Sequence, residues 1–183
     1  RSLVGSEMCI ETASAPLKTI YKGALKAFAG DTVNVLAGTY PETILLKVYE
    51  GRNGYPITFH AEDGVTITGS GSSTSGAAFY FEDNKYIVID GFDVIGTAFK
   101  GIFITYSDHI TITNNYIAEA GEPVVGYEHE GINLKDVTYS LIEGNVVCNN
   151  TSTGILLRDR SNNNVVSNNI SYGNYNAVGE PTS

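Results

Sequence analysis

Between Ala78 and Ser171 the chain repeats one pattern four times. The copies begin at Ala78, Gly101, Gly131 and Gly154, so their starts lie 23, 30 and 23 residues apart. Each opens on two apolar residues two apart: Phe79/Phe81, Ile102/Ile104, Ile132/Leu134 and Ile155/Leu157. Each then carries an apolar-x-x-Asn-x-apolar run, namely Ile112-Asn115-Ile117, Ile142-Asn145-Val147 and Val165-Asn168-Ile170, with Ile89-Phe92-Val94 in the first. Period-2 alternation marks strands with one buried face, and a fixed period of about 20–25 residues marks a solenoid. One such unit has nothing to bury its apolar face against. Stacked coils do, at about 4.8 Å per rung, sharing backbone hydrogen bonds above and below. Asn at one recurring register suits a left-handed turn and bonds amide to amide between coils, so Asn115, Asn145 and Asn168 are expected to form a ladder.

These aligned copies, with the segments on either side from about Ala15 to Tyr175, resemble the right-handed parallel β-helix of the pectin-lyase-like superfamily. The resemblance is greatest to its copper-protein-associated and carbohydrate-binding repeat class. It implies an all-β fold with coils of about 23 residues, handedness included. It implies little about function, because that superfamily includes lyases, hydrolases, epimerases, tailspikes, adhesins and non-catalytic surface proteins.

A chain of 183 residues fits one solenoid domain over 1–183, with coils over 31–177 and a tail over 178–183. Twenty acidic residues against eleven basic give a net charge of −9, which argues against nucleic acid or an anionic membrane as partner. No stretch approaches the roughly 18–20 apolar residues of a membrane span. The chain opens on Arg1, read as a processed form or an excised piece, and its expected location is extracellular or at the cell surface. The last copy leads into the start of a further coil near Ala177 without a cap, so more chain or another subunit is expected at that end.

Residues 14–29 break the β pattern. Pro16 suits a first helical turn, Leu17, Ile20, Tyr21, Ala24, Leu25 and Phe28 share one face, and Lys18, Lys22 and Lys26 share the other. An amphipathic helix is expected there, serving as a cap on the first coil or as a partner-binding helix. The Ser/Gly/Thr stretch 70–76 and the excursion 119–130 read as loops, and loops at one register of a solenoid commonly carry binding function. Cys9 and Cys148 are too far apart for a metal site or an easy intrachain bond. They read as an intermolecular disulfide between subunits or as two free thiols.

Alternation places Tyr80/Glu82, Phe103/Thr105, Asn133/Lys135 and Leu156/Arg158 outward on the first strand of each copy. Lys135 and Arg158 then stack one coil apart. This resembles the alginate- and chondroitin-lyase branch of β-helix enzymes. The resemblance implies Lys135 as base and Arg158 as acid in β-elimination beside a uronate, with Glu130, Asn133 and His129 nearby in sequence as candidate neutralising or metal-binding groups; Glu82, Phe103, Asn133 and His129 are the candidate substrate contacts. With Asp136 and Asp159 beside them, the same cations also read as a solvated charge ladder. No metal site or cofactor is expected beyond at most weak Ca²⁺ binding at Asp90/Asp93 or Asp83/Asp108.

Two functions remain open. The chain is read first as an extracellular structural solenoid whose partners are copies of itself, forming a surface layer, sheath or filament. The alternative is a lyase- or epimerase-like enzyme, or a fragment of one, acting on an acidic polysaccharide. A passive carbohydrate-binding strip of Tyr80, Phe103 and Tyr106 is a third reading.

Overall fold

The computed structural model describes residues 2–4, 8–9, 17–70, 76–121 and 129–175. Two short strands, β1 (Ser2–Val4) and β2 (Met8–Cys9), precede helix α1 (Ile20–Ala24). Three strands then recur per coil. The first coil has β3 (Thr32–Val35), β4 (Gly38–Tyr40) and β5 (Ile44–Lys47). The second has β6 (Ile57–Ala61), β7 (Val65–Ile67) and β8 (Phe79–Glu82). The third has β9 (Lys85–Asp90), β10 (Asp93–Ile95) and β11 (Ile102–Thr105). The fourth has β12 (Asp108–Thr113), β13 (Tyr116–Ala118) and β14 (Ile132–Lys135). The fifth has β15 (Leu141–Glu143), β16 (Val146–Cys148) and β17 (Ile155–Arg158), and β18 (Val165–Ser167) and β19 (Ile170–Tyr172) begin a sixth.

Every third strand pairs in parallel, which builds three sheets along one axis. Sheet A runs from β3 through β6, β9, β12 and β15 to β18, and β1 and β2 extend it beyond β3. Sheet B runs from β4 to β19, and sheet C from β5 to β17. This is the expected β-helix. The coil length is not uniform, however: Thr32, Thr58, Val88, Thr111, Leu141 and Val165 share one register, giving steps of 26, 30, 23, 30 and 24 residues. Twenty-three residues suffice for three strands and their turns, and the surplus is extruded as loops.

The apolar core follows the alternation, while Thr105, Asn133 and Cys148 are buried at outward registers. The inward pairs Ile44/Leu46, Phe79/Phe81, Ile102/Ile104 and Ile132/Leu134 are fully buried, as are Ile87/Ile89 and Ile110/Ile112. Phe92 fills the register where other coils place Asn, and its ring meets Phe79 edge-on at 5.0 Å. Each coil turns through left-handed residues at fixed positions, such as Asp83, Tyr106, Asp136 and Asp159 after sheet C, with φ between 51° and 58°.

The Asn ladder is present, with one correction. Asn145 Oδ1 accepts from Asn115 Nδ2 at 2.9 Å, and Asn145 Nδ2 donates to Oδ1 of Asn169, not Asn168, at 2.9 Å. Leu141 pairs with Val165 and Ile142 with Val166, so the last copy is shifted by one residue from the sequence alignment. Adjacent Val165 and Val166 made both registers look alike. Asn168 instead occupies the left-handed position at φ 56° and donates to Glu143. A second ladder, unseen in the sequence, joins Asn150 and Asn174: Asn150 Nδ2 donates to Asn174 Oδ1 at 2.9 Å.

The helix expected over 14–29 is also shorter. Residues 14–16 lie outside those described, and the helix spans only Ile20–Ala24, with the Thr19 hydroxyl accepting from the Lys22 N–H. Glu42 accepts from the first two N–H groups, those of Ile20 and Tyr21. Gly23 costs about 1 kcal/mol of helix propensity. Past Ala24 the bonds tighten to Lys26–Gly23 and Ala27–Ala24. Ile20 and Ala24 are buried against β3 and β5, whereas Phe28, expected on the same face, is 69% exposed. The tail 178–183 and Ala177 lie outside the described residues, and at that end Val165, Val166 and Ile170 are exposed.

Candidate functional site

Sheet C has two ladders at outward register, in which Thr105 and Asn133 are nonetheless buried. The parallel register fixes one as Lys47, Glu82, Thr105, Lys135 and Arg158, and the other as Leu45, Tyr80, Phe103, Asn133 and Leu156. Lys135 and Arg158 are therefore direct neighbours on adjacent coils, as the alternation requires. Lys135 Nζ stands 3.9 Å from an Asp159 carboxylate oxygen and 5.8 Å from the Tyr106 ring centre. Arg158 Nε donates to Asn133 Oδ1 at 3.4 Å, so the sequence-predicted Asn133 sits against the guanidinium. The carboxylate of Asp136 is engaged elsewhere. The hydrogen bond from Arg160 Nε, 2.6 Å long, holds its carboxyl below the usual aspartate range.

Beside the cations lies an aromatic pair. The Tyr80 and Phe103 rings are stacked at 5.0 Å and 29°. Glu82 is two rungs from Lys135 and is held by Lys47 at 2.5 Å, so it is committed to its own ion pair. Tyr106 lies on the turn beyond this strip and approaches Lys135 instead.

Against the Phe103 ring lies a buried ion pair that the strand alternation does not place, although Glu130 is a candidate in its own right. Lys100 and Glu130 form a buried ion pair, and Lys100 Nζ lies 4.5 Å from the Phe99 ring centre. His129, expected to meet substrate, is fully buried and edge-on to Phe99 at 5.6 Å. Among the described residues, Thr105 Oγ1, Glu130 Oε1 and Asn133 Nδ2 are buried without a hydrogen-bond partner. A signal for the ion pair existed: Lys100 and Glu130 each immediately precede a repeat glycine, Gly101 and Gly131. Those glycines are required. A Cβ on Gly131 would overlap Val147 Cγ1 and lie 2.7 Å from Asn150 Nδ2.

Two of the four aspartates considered for Ca²⁺, Asp90 and Asp108, have side-chain partners. Asp90 accepts from Asn114 at 2.8 Å and Thr113 at 3.0 Å and pairs with His60 Nδ1 at 2.8 Å. Burial pushes its carboxyl up, but the bonds from Asn114, His60 and Thr113 outweigh this and leave it below the usual range. Asp93 is raised by burial. Asp108 lies 2.6 Å from His109 Nδ1 and 3.4 Å from Lys85, and Asp83 occupies a left-handed turn. Among the described residues no group of three or more His, Cys, Asp or Glu side chains could hold a metal ion.

Cys148 keeps the outward register, opposite Ala118 and Tyr172, yet its side chain is fully buried as a free thiol. Its sulfur donates to the Tyr116 hydroxyl at 3.5 Å, and this contact raises the Tyr116 phenol well above its ordinary value. Cys9 contributes backbone only, pairing with Ser2 in β1, and its side chain lies outside the described part. A disulfide from Cys148 to another molecule would require this cover to open.

Comparison with known proteins agrees with this architecture. A pectate lyase, Pel9A, superposes with a TM-score of 0.62 at 14% identity, covering 91% of this chain and 46% of that one. That likeness establishes a shared fold, the right-handed parallel β-helix. A rhamnogalacturonan lyase gives a TM-score of 0.48 at 14% identity over 94% of this chain and 62% of its own. The uncharacterized protein YwoF of Bacillus subtilis (strain 168) is 31% identical over 126 residues, 62% of this chain. The chain spans about a quarter of that relative, 27% of its length. Residues 20–180 match the family described as periplasmic copper-binding protein (NosD), and the chain belongs to that family.

Proposed function

We propose that the chain is an extracytoplasmic β-helix whose sheet C face binds an acidic polysaccharide. The observation that carries this reading is the direct register of Lys135 with Arg158, whose guanidinium is held by the buried Asn133, beside the stacked Tyr80/Phe103 pair. Two cations one rung apart match carboxylates along a polyuronate, and a neighbouring aromatic surface suits the apolar face of a sugar ring. The description of the family as periplasmic supports the location. Among the described residues no helix is long and apolar enough to cross a membrane.

Copper does not enter this reading. The donors that favour copper are imidazole and sulfur. A carboxylate on Nδ1, as at His60 and His109, leaves Nε2 able to bind a metal, but among the described residues no three His, Cys, Asp or Glu side chains come together to hold one. The described residues thus do not fit a copper centre.

The Lys135/Arg158 register also supports a second reading, β-elimination. Neutral Lys135 would take the proton from the carbon next to the uronate carboxylate. The electron pair left behind forms a double bond to the next ring carbon as that carbon's bond to the glycosidic oxygen breaks; the leaving oxygen, its charge facing the Arg158 guanidinium, takes a proton from water, and the protonated Lys135 neutralises the hydroxide so formed. Support for a self-assembling scaffold is thinner, since the Cys148 thiol is covered.

The deciding experiment is titration with hexagalacturonate at physiological salt. Loss of one charged hydrogen bond costs about 1.5–3 kcal/mol, so the double variant Lys135→Ala/Arg158→Ala should bind at least roughly a hundredfold more weakly. Unchanged affinity would remove the proposed site. Appearance of unsaturated ends in the ultraviolet, abolished by Lys135→Ala, would select the lyase reading over simple binding.

A further inference from the structure

Sheet A carries a second, differently built surface. Tyr86, His109 and Tyr139 occupy one register on three successive coils. Their rings stack, Tyr86 on His109 at 4.4 Å and 23°, His109 on Tyr139 at 5.5 Å and 19°. All three residues are left-handed, with φ of 51°, 54° and 52°. The next coil has Asn163 at this position, φ 55°, a type that tolerates that conformation better than most other non-glycine residues. Three bulky rings thus replace the easier choice.

The stack forms one wall of a groove of about 260 Å³. Its floor is Val88, Thr111 and Leu141, in direct register on β9, β12 and β15. Near Tyr86 stands the tight turn Arg52–Tyr55, closed by two backbone bonds of 2.9 and 2.8 Å, and Arg52 and Asn53 line the groove there. Arg52 is the one charged side chain among the lining residues and forms no ion pair among the described residues. The charges nearest the rings are already matched: Asp108 is bonded to His109 and Lys85.

We infer that this groove is a second glycan-binding site, selective for a linear run of neutral sugars and separate from the acidic-polymer face on sheet C. A pyranose ring has an apolar C–H face and a rim of hydroxyls. The Val88 and Leu141 side chains offer the matching apolar floor. The Tyr86 and Tyr139 phenols, Thr111, Asn53 and Arg52 supply donors and acceptors around it. The rungs recur at about 4.8 Å along the groove, so successive sugars of an extended chain meet side chains at the same register on successive coils. A ligand dense in carboxylates is disfavoured, because one guanidinium cannot pair with a charge on every sugar. This inference does not depend on the sheet C reading.

The test uses the full chain, labelled with ¹⁵N, titrated separately with cellohexaose, xylohexaose and maltohexaose. At least one should shift the amide signals of Val88, Thr111 and Leu141. Tyr139→Ala, a change at a ring 59% exposed, should weaken that binding at least tenfold while the amide spectrum stays folded. Lys135→Ala should leave it unchanged. The inference is overturned if none of the three sugars shifts these signals, or if Tyr139→Ala binds as well as the parent. It is equally overturned if Lys135→Ala abolishes the binding, which would assign neutral sugars to sheet C.

Discussion

Replacing Asn145 by Ala should be among the most damaging single changes to a polar residue of this chain. The side chain is fully buried and bonded in both directions along the axis. Its Oδ1 accepts from the Asn115 N–H at 3.0 Å and from Asn115 Nδ2 at 2.9 Å, and its Nδ2 donates to the Ile112 carbonyl at 2.9 Å. Asn115 Nδ2 keeps a second acceptor, the Ile89 carbonyl, and Asn169 Oδ1 keeps the Asn145 backbone N–H. The Asn115 N–H and the Ile112 carbonyl lose the bonds this amide gave them. Each such buried group costs about 1–3 kcal/mol, so with the small void the loss should be about 3–5 kcal/mol. At about 2–4 °C per kcal/mol for a chain of this size, the midpoint should fall by roughly 10 °C. Asn168→Ala is the internal control. It loses one exposed bond to Glu143, 3.1 Å long, and incurs about 1 kcal/mol for left-handed Ala, a fall of roughly 3 °C. Thermal and urea denaturation of both variants decides the matter. If Asn168→Ala is as damaging as Asn145→Ala, the ladder runs through the wrong asparagine and the register argument fails.

Gly131→Ala should destabilise by about 1–3 kcal/mol through overpacking against Val147, measured by urea midpoint, whereas Gly54→Ala meets open space and should cost only its left-handed strain. Asp90 has a lowered carboxyl in the folded state, so its contribution is present above the ordinary aspartate value and is lost as pH falls through the lowered one. Asp90→Asn should therefore flatten the acid limb of a stability–pH curve, and an unchanged limb would show that the His60, Thr113 and Asn114 contacts do not hold the anion. The Cys148 thiol should react with an aromatic disulfide reagent only on unfolding, and immediate reaction in the native state would contradict its burial.

The core was readable because period-2 alternation and repeat spacing both report on it. Ile102/Ile104 and Ile132/Leu134 point inward as their pattern requires, and the same pattern put Lys135 beside Arg158. The misreadings have separate causes. The left-handed residues interrupt alternation, so Tyr86, His109 and Tyr139 looked unrelated in sequence although they share a rung. Val165 and Val166 gave no apolar contrast to fix the final register. His129 was expected on the surface because it adjoins a loop, but it packs against Phe99 beside the Lys100–Glu130 pair, whose charges conceal their burial in a hydropathy pattern. The helix stripe from Leu17 to Phe28 described an amphipathic face, and Gly23 with the early tightening at Ala27 ended it.

The unequal steps between coils have a consequence for how such a surface changes over time. Extra residues leave the stack through loops and the next strand resumes the same register, so length and position are decoupled. Duplicating one minimal coil would move Arg158 away from Tyr80 by a single rung, about 4.8 Å, without rotating either side chain. The molecule thus behaves as a ruler with a fixed graduation. Its match to a polymer of different repeat is retuned by copying segments, before any residue in contact with that polymer has to change.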